Sequence, residues 1–374
     1  MRFVPFDMER WQSTYENRVR FNLSESGVHP LTVQELLGLA GASAMPLLEV
    51  RLGYPQSNGS DELRQRIAAL YPGATPDQVV VTVGSAEANF VACWRLIEPG
   101  DRVAVMLPNY MQMPGLAQNF GAQVRAFHLH EETGWEPHAE EVRAAIAPGT
   151  TLVIVTNPNN PTGHVLSDEA RRLIVQRAAE VGAWLLADEV YQGAERDGRT
   201  TASFWGAYDK VVVVNGLSKA YGLPGVRIGW LVAPPALSGE VWARHDYTVI
   251  APTGPSDLLA RFALEPRVRD QILARTRRIL HTNYPVLAAW LEGFGDTFTW
   301  REPAAGAICH VKYRHAVGAL EVVEQLRAQH SVLLVPGEHF GTPGYLRFGF
   351  GAELGQLEPA LAETARGLRR LFGD

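Results

Sequence analysis

Ser218-Lys219-Ala220-Tyr221-Gly222-Leu223-Pro224-Gly225-Val226-Arg227-Ile228-Gly229-Trp230 is the stretch whose reading decides the fold. It follows the apolar run Val211 to Val214, so a strand end feeds a turn punctuated by Gly and Pro, where a side chain can be held still. A lysine stands there beside a small hydroxyl residue, with an arginine further along the same turn. By itself the window also reads as a surface loop with a solvated lysine, because lysine in such loops is ordinary.

The bounds set by composition narrow the field. At 374 residues and 41.1 kDa the chain exceeds one ordinary core, which predicts a large domain and a smaller one. A net charge of -6 and a pI near 6.0 argue against nucleic acid or an anionic membrane as the main partner. Met1-Arg2-Phe3-Val4-Pro5-Phe6-Asp7 holds no apolar core of signal-peptide length, and no later run approaches a membrane span, so a cytosolic location is expected. Cys93 and Cys309 make neither a disulfide framework nor a zinc site. The histidines show no paired ligand spacing along the chain, so no metal is expected.

From about residue 78 to 232, short apolar runs alternate with helical patterns. The runs are Val79 to Val83, Val103 to Met106, Leu152 to Val155, Trp184 to Ala187 and Val211 to Val214. Between them lie Ala86 to Ile97, Glu140 to Ile146 and Asp168 to Val181, the last with Ser167 as its N-cap. This is the βα alternation of a mainly parallel sheet covered on both faces, the α/β class, with ligands expected at the carboxyl ends of the strands. The first 50 residues read as a polar arm with a short helix at Thr32 to Ala40. From about 266 the pattern turns to long helices with strands at Ala307 to Val311 and Tyr345 to Phe350, and a final helix at Leu357 to Leu371. The expected division is 1–50 as an arm and part of a small α+β domain, 51–265 as the large domain, and 266–374 as the rest of the small one.

Two further motifs stand upstream of the lysine turn, each directly after an apolar run: Asn157-Pro158-Asn159-Asn160-Pro161-Thr162-Gly163 and Asp188-Glu189-Val190-Tyr191. With the lysine turn, in this order and at these separations, they resemble the class I/II aminotransferases, the fold-type-I pyridoxal-phosphate enzymes. The resemblance runs over roughly residues 20 to 370.

It implies pyridoxal 5'-phosphate as cofactor, held as a Schiff base on Lys219, which then also moves a proton. Asp188 is implied to pair with the ring nitrogen, and Tyr191 and Asn160 to donate to the ring hydroxyl. Gly84-Ser85-Ala86 follows a strand and opens a helix, so the amides of Ser85 and Ala86 can face a phosphate, joined by Arg227 and Ser218. Gly216 departs from the resemblance, since a serine often stands three places before the lysine. Tyr110 matches the aromatic residue over the ring, and reads equally as a core tyrosine. Tyr54 matches the tyrosine that reaches the phosphate of a neighbouring subunit, which implies a homodimer with shared sites. Arg347 lies in the apolar strand Tyr345-Leu346-Arg347-Phe348-Gly349-Phe350, where a charge must be paired, and is implied to grip the substrate α-carboxylate together with Asn160 and Gly27.

The activity so implied is transfer of an α-amino group from an amino acid to a 2-oxo acid. Ser24-Glu25-Ser26-Gly27-Val28-His29 is similar to a segment of capreomycidine synthases, pyridoxal-phosphate cyclases, so a cyclase or β-lyase outcome at the same lysine stays open. Glu25 and His29 leave that side chemistry open, and His29 reads equally as a packing or surface residue. A regulator that keeps the fold without turnover would need a DNA-binding appendage or a lost lysine, and the sequence has neither.

Overall fold

Four consecutive valines, Val211 to Val214, are buried on both faces of the strand Val211–Gly216, as a central strand of a parallel sheet requires. In the computed structural model, which describes residues 3–373, this strand sits inside an eight-stranded sheet. The order is Val79–Thr82, Gly229–Val232, Val211–Gly216, Trp184–Asp188, Thr150–Thr156, Arg102–Leu107, Gln123–His130 and Glu136–Pro137. Five strands from Val211–Gly216 to Gln123–His130 run parallel. Gly229–Val232 is antiparallel to both its neighbours, and Glu136–Pro137 is antiparallel at the far edge.

Register places the chemistry. Thr156 pairs with Asp188, and Asp188 pairs with Val214, so the Asn-Pro motif, the Asp motif and the lysine turn leave the sheet side by side at its carboxyl edge. The helix Asp168–Val181 begins where Ser167 accepts from the amide of Ala170 and ends at Gly182 in the left-handed region. The helix Val33–Ala40 begins with a capping box between Thr32 and Glu35.

Four of the remaining strands form an antiparallel sheet in the order Phe298–Trp300, Ile308–Tyr313, Tyr345–Gly349, Val335–Pro336. Phe21–Asn22 pairs in parallel with Val332–Leu333, tying the start of the chain to its end. Several elements lay outside the sequence reading, among them the strand Gly229–Val232, the helices Gln112–Asn119, Pro235–His245 and Gly254–Ala263, and the two that follow. Gln123–His130 is an edge-side strand with few apolar residues, and Asp7–Tyr15 is a polar helix that buries only Met8 and Gln12. Among the described residues no helix is long and apolar enough to cross a membrane.

Glu189 follows the strand Trp184–Asp188 into the interior and accepts from the amide of Phe204 at 2.7 Å and the hydroxyl of Ser203 at 3.0 Å. Burial pushes its pKa up to about 7. A carboxyl raised in the folded state stabilises most at low pH, and that contribution is lost as pH rises from the unfolded value through the folded one. Denaturant titrations at pH 5 and pH 7.5 are therefore expected to show stability falling by roughly 1–3 kcal/mol on this group's account. Glu189→Gln should remove that part of the slope, and an unchanged slope in the variant would contradict it.

Candidate active site

The chain has three lysines. Lys210 is exposed and donates to the carbonyl of Gly182 at 2.8 Å, and Lys312 stands half-exposed 3.8 Å from Glu131. Only Lys219 lies at the carboxyl edge of the sheet, in the turn after Val211–Gly216. Its Nζ donates to Glu25 Oε1 at 2.9 Å, and the same oxygen accepts from the amides of Ser26 at 2.9 Å and Gly27 at 3.0 Å. Lys219 holds the Glu25 carboxyl well below its usual range, at about 2. Burial works against the Lys219 cation, yet Glu25 and Tyr191 outweigh it and the lysine pKa is raised.

Glu25 reaches this place because glycines let the N-terminal segment lie flat on the small sheet. A Cβ on Gly349 would fall 2.0 Å from the carbonyl oxygen of Glu25, and one on Gly351 would fall 2.1 Å from that of Gly27. Buried Gly27 in turn lies against Ser218, whose carbonyl oxygen would be 3.2 Å from an added Cβ. His29 is directed elsewhere: its ring meets Arg275 at 2.9 Å, and Glu353 lies 3.8 Å away. Of the two N-terminal groups left open by the sequence, Glu25 is the one at the lysine.

Asp188 is 2% exposed, at the end of its strand. It accepts from the amide of Val190 at 3.1 Å and from Asn89 Nδ2 at 2.9 Å. Among the described residues no cation forms an ion pair with it, and burial lifts its pKa to about 6. Asn89 escaped the sequence reading, although a polar residue among Ala88, Val91 and Ala92 on the buried face of a helix is a signal of such a contact. Tyr191 is buried, with its ring against Gly306, where an added Cβ would stand 3.1 Å away. Tyr110 packs edge-on against Phe6 at 4.9 Å and donates to Glu9 at 3.3 Å, so it carries both a packing contact and a polar one.

The helix Ser85–Leu96 starts at Gly84, at φ 87°, and no side chain caps it, so its leading amides remain to face an anion. Gly229 passes so close that a Cβ there would lie 2.2 Å from the Ser85 nitrogen. Arg227, itself in the left-handed region, lays its guanidinium over Gly84 and reaches the carbonyl of Val83 at 3.4 Å. The glycine at position 216 has a steric cause: a Cβ there would approach the Ile228 carbonyl oxygen at 3.1 Å. Tyr54 is 85% exposed, so one chain does not bring it into this group.

Arg347 is fully buried. Its guanidinium donates to Asn160 Oδ1 at 2.9 Å and to the carbonyl of Ser24, and it lies over the Phe340 ring. No carboxylate pairs with it among the described residues. Its register partner His310 is kept neutral, with its pKa pushed down to about 3 by burial and by Arg347 itself. A buried guanidinium without a counter-ion is a site for an incoming carboxylate. The donor set also fits pyridoxal phosphate: Asp188 lacks a cation that a protonated ring nitrogen would supply, and the uncapped helix lacks an anion.

The family model for aminotransferase class I and II matches residues 46–363. A capreomycidine synthase of Streptomyces vinaceus is 32% identical, over 98% of this chain and 96% of its own. The crystal structure of a PLP-dependent aminotransferase from Streptococcus suis 89-1591 superposes with a TM-score of 0.92 at 34% identity, covering 99% of both chains. The PLP-dependent cyclase OrfR superposes at 0.91 with 29% identity, over 99% of this chain and 98% of its own.

Gly84→Ala tests the anion cup. The methyl group would meet the Arg227 guanidinium at 2.4 Å, on a backbone with φ 87° that only glycine adopts freely. Affinity for pyridoxal phosphate, titrated by absorbance, is expected to fall about tenfold or more, equivalent to ~1.4 kcal/mol, while circular dichroism stays that of the folded chain. Undiminished affinity would remove this helix end from the site.

Proposed function

The chain belongs to the class I and II aminotransferases, and from that premise we propose that Lys219, Asp188 and Arg347 carry the transfer of an α-amino group from an amino acid to a 2-oxo acid. It is a pyridoxal-phosphate-dependent enzyme. The cofactor, when bound, supplies a sink for the negative charge left on Cα as its proton departs.

In this reading Lys219 holds the cofactor and then carries the Cα proton on its ε-amine. Asp188 keeps the ring nitrogen protonated, with Asn89 fixing the orientation of its carboxylate. Tyr191 and Asn160 would donate to the ring hydroxyl, Tyr110 would stand at the ring, and Ser85, Ala86, Ser218 and Arg227 would hold the phosphate. Arg347 binds the substrate carboxylate and so turns Cα toward the lysine. The observation that carries this assignment is the meeting of the one lysine at the carboxyl edge of the large sheet with a buried carboxylate there and, from the small sheet, a buried guanidinium bonded to Asn160, neither ion-paired among the described residues.

The domain division at residues 51 and 265 and a cytosolic location belong to the same reading, the latter supported by two buried free thiols, Cys93 and Cys309. So does a homodimer in which Tyr54 reaches the phosphate of the partner. Its support is an exposed apolar face of Met45, Leu48, Leu52 and Tyr54 beside Tyr247 and Ile250. The two segments adjoin, since a Cβ on Gly254 would meet Val50 at 2.8 Å.

The amino donor is proposed to carry a cationic side chain. The helix Asp7–Tyr15 lies over Arg347 through Met8, and it brings Glu9 to Tyr110 and, just beyond its end, Glu16 near Glu25. Burial and the charges of Glu25 and Glu9 raise the pKa of Glu16, the mark of carboxylates gathered at one mouth. A second reading, cyclisation or β-elimination, is favoured by Glu25 itself, whose carboxylate beside Lys219 is a further acid or base at the reacting amine.

Dependence on a 2-oxo acid separates the two readings. One equivalent of oxo product per site without an acceptor, and sustained turnover with one, is the outcome expected here. Sustained turnover without an acceptor would establish the cyclase or lyase. Arginine or lysine as donor should exceed aspartate in kcat/KM by about tenfold or more, since like charges placed together cost ~1.4 kcal/mol or more. Equal rates would remove the acidic mouth from specificity. Arg347→Ala should lower kcat/KM roughly a hundredfold for all amino acids alike, the scale of a buried charge losing its partner. A defect that follows side-chain identity would place Arg347 in the side-chain pocket instead.

A further inference from the structure

We propose that the hairpin at the far edge of the large sheet binds a divalent transition-metal ion, Zn²⁺ by its ligand set, through His130, Glu132 and His138. The three come from different local elements: the end of the strand Gln123–His130, the turn Glu131–Thr133, and the residue before the helix Ala139–Ala145. Pairing of Leu129 with Pro137 and His130 with Glu136 folds them together. One ligand atom from each lies within 4.8 Å of the others, and the rings of His130 and His138 are 4.1 Å apart at their centroids. Spacing along the chain does not betray this group, because the hairpin brings it together.

The arrangement around His130 is that of a metal-binding imidazole. Its Nε2 meets Glu141 Oε1 at 2.7 Å, and its Nδ1 faces Glu132 Oε1 at 3.5 Å. Each ring nitrogen of His130 thus has a carboxylate beside it, Glu141 at Nε2 and Glu132 at Nδ1. A carboxylate on the far nitrogen fixes the tautomer and raises the basicity of a ligating histidine. Two imidazoles and one carboxylate suit Zn²⁺, with water completing the tetrahedron.

The site also has a line to the chemistry. Trp135, in the same hairpin, is buried at φ 70° and packs against His310 and Tyr345 at 5.8 and 6.0 Å. Glu131 accepts from the hydroxyl of Tyr345 at 2.6 Å, two residues from Arg347 on the same strand. An ion at the hairpin would therefore brace the contact between the large sheet and the strand that carries the substrate-carboxylate arginine.

Isothermal titration of untagged holoenzyme with Zn²⁺ alone decides it. The expected result is one ion per chain, removed by EDTA, with the melting temperature rising by about 2 °C at saturation. His130→Ala and His138→Gln should each abolish binding, and Glu141→Ala should weaken it about tenfold. His315→Ala, a part-buried histidine stacked on Phe372 and outside the hairpin, should leave binding unchanged. None of the four side chains is fully buried, and circular dichroism of each variant checks that it folds. No binding to the unaltered protein, or binding that survives His130→Ala and His138→Gln together, would overturn the proposal.

Discussion

Asp188 and Arg347 are desolvated charges without counter-ions among the described residues, and the rest of the site is arranged around that fact. Burying an unpaired ion costs several kcal/mol. Asn89 and the Val190 amide offset part of the cost at Asp188, and Asn160, the Ser24 carbonyl and the Phe340 ring do so at Arg347. What remains unsatisfied is complementary to a cationic ring nitrogen and to a carboxylate. The fold keeps binding energy in reserve for cofactor and substrate, and sheet register holds the receiving groups in place before either arrives.

The N-terminal segment closes the arrangement. It pairs with Val332–Leu333, runs over Gly349 and Gly351, and delivers Glu25 to Lys219. A side chain at either glycine would lift this segment off the small sheet. The carboxylate it carries is what makes this site differ in emphasis from a plain lysine–aspartate–arginine arrangement, and it is the reason a cyclase outcome stands beside transamination.

Much of this was legible in the sequence where local rules and tertiary demands agree. Val211 to Val214, Trp184 to Ala187 and Ser167 with its helix read correctly because buried parallel strands are continuously apolar and N-caps are polar. The strand Gln123–His130 was not, since a strand next to the sheet edge with most of its residues part-exposed or exposed has no such run. The helix Asp7–Tyr15 hid for a similar reason, burying two residues in nine. Site residues adjoining strand ends could be placed by motif. Asn89, Glu9 and the exclusion of His29 from the lysine could not, because each depends on contacts between segments far apart in the chain. The histidine cluster at the hairpin is the same case, assembled by strand pairing alone.

The account turns on Lys219 as the residue that holds the cofactor. Borohydride reduction of the holoenzyme followed by peptide mapping reads this directly, since the chain offers only Lys210 and Lys312 as alternatives. Pyridoxyl label confined to the peptide containing Lys219 is the predicted result. Label on Lys210 or Lys312, with Lys219 unmodified, would contradict the assignment and with it the roles given to Asp188, Arg347 and Glu25.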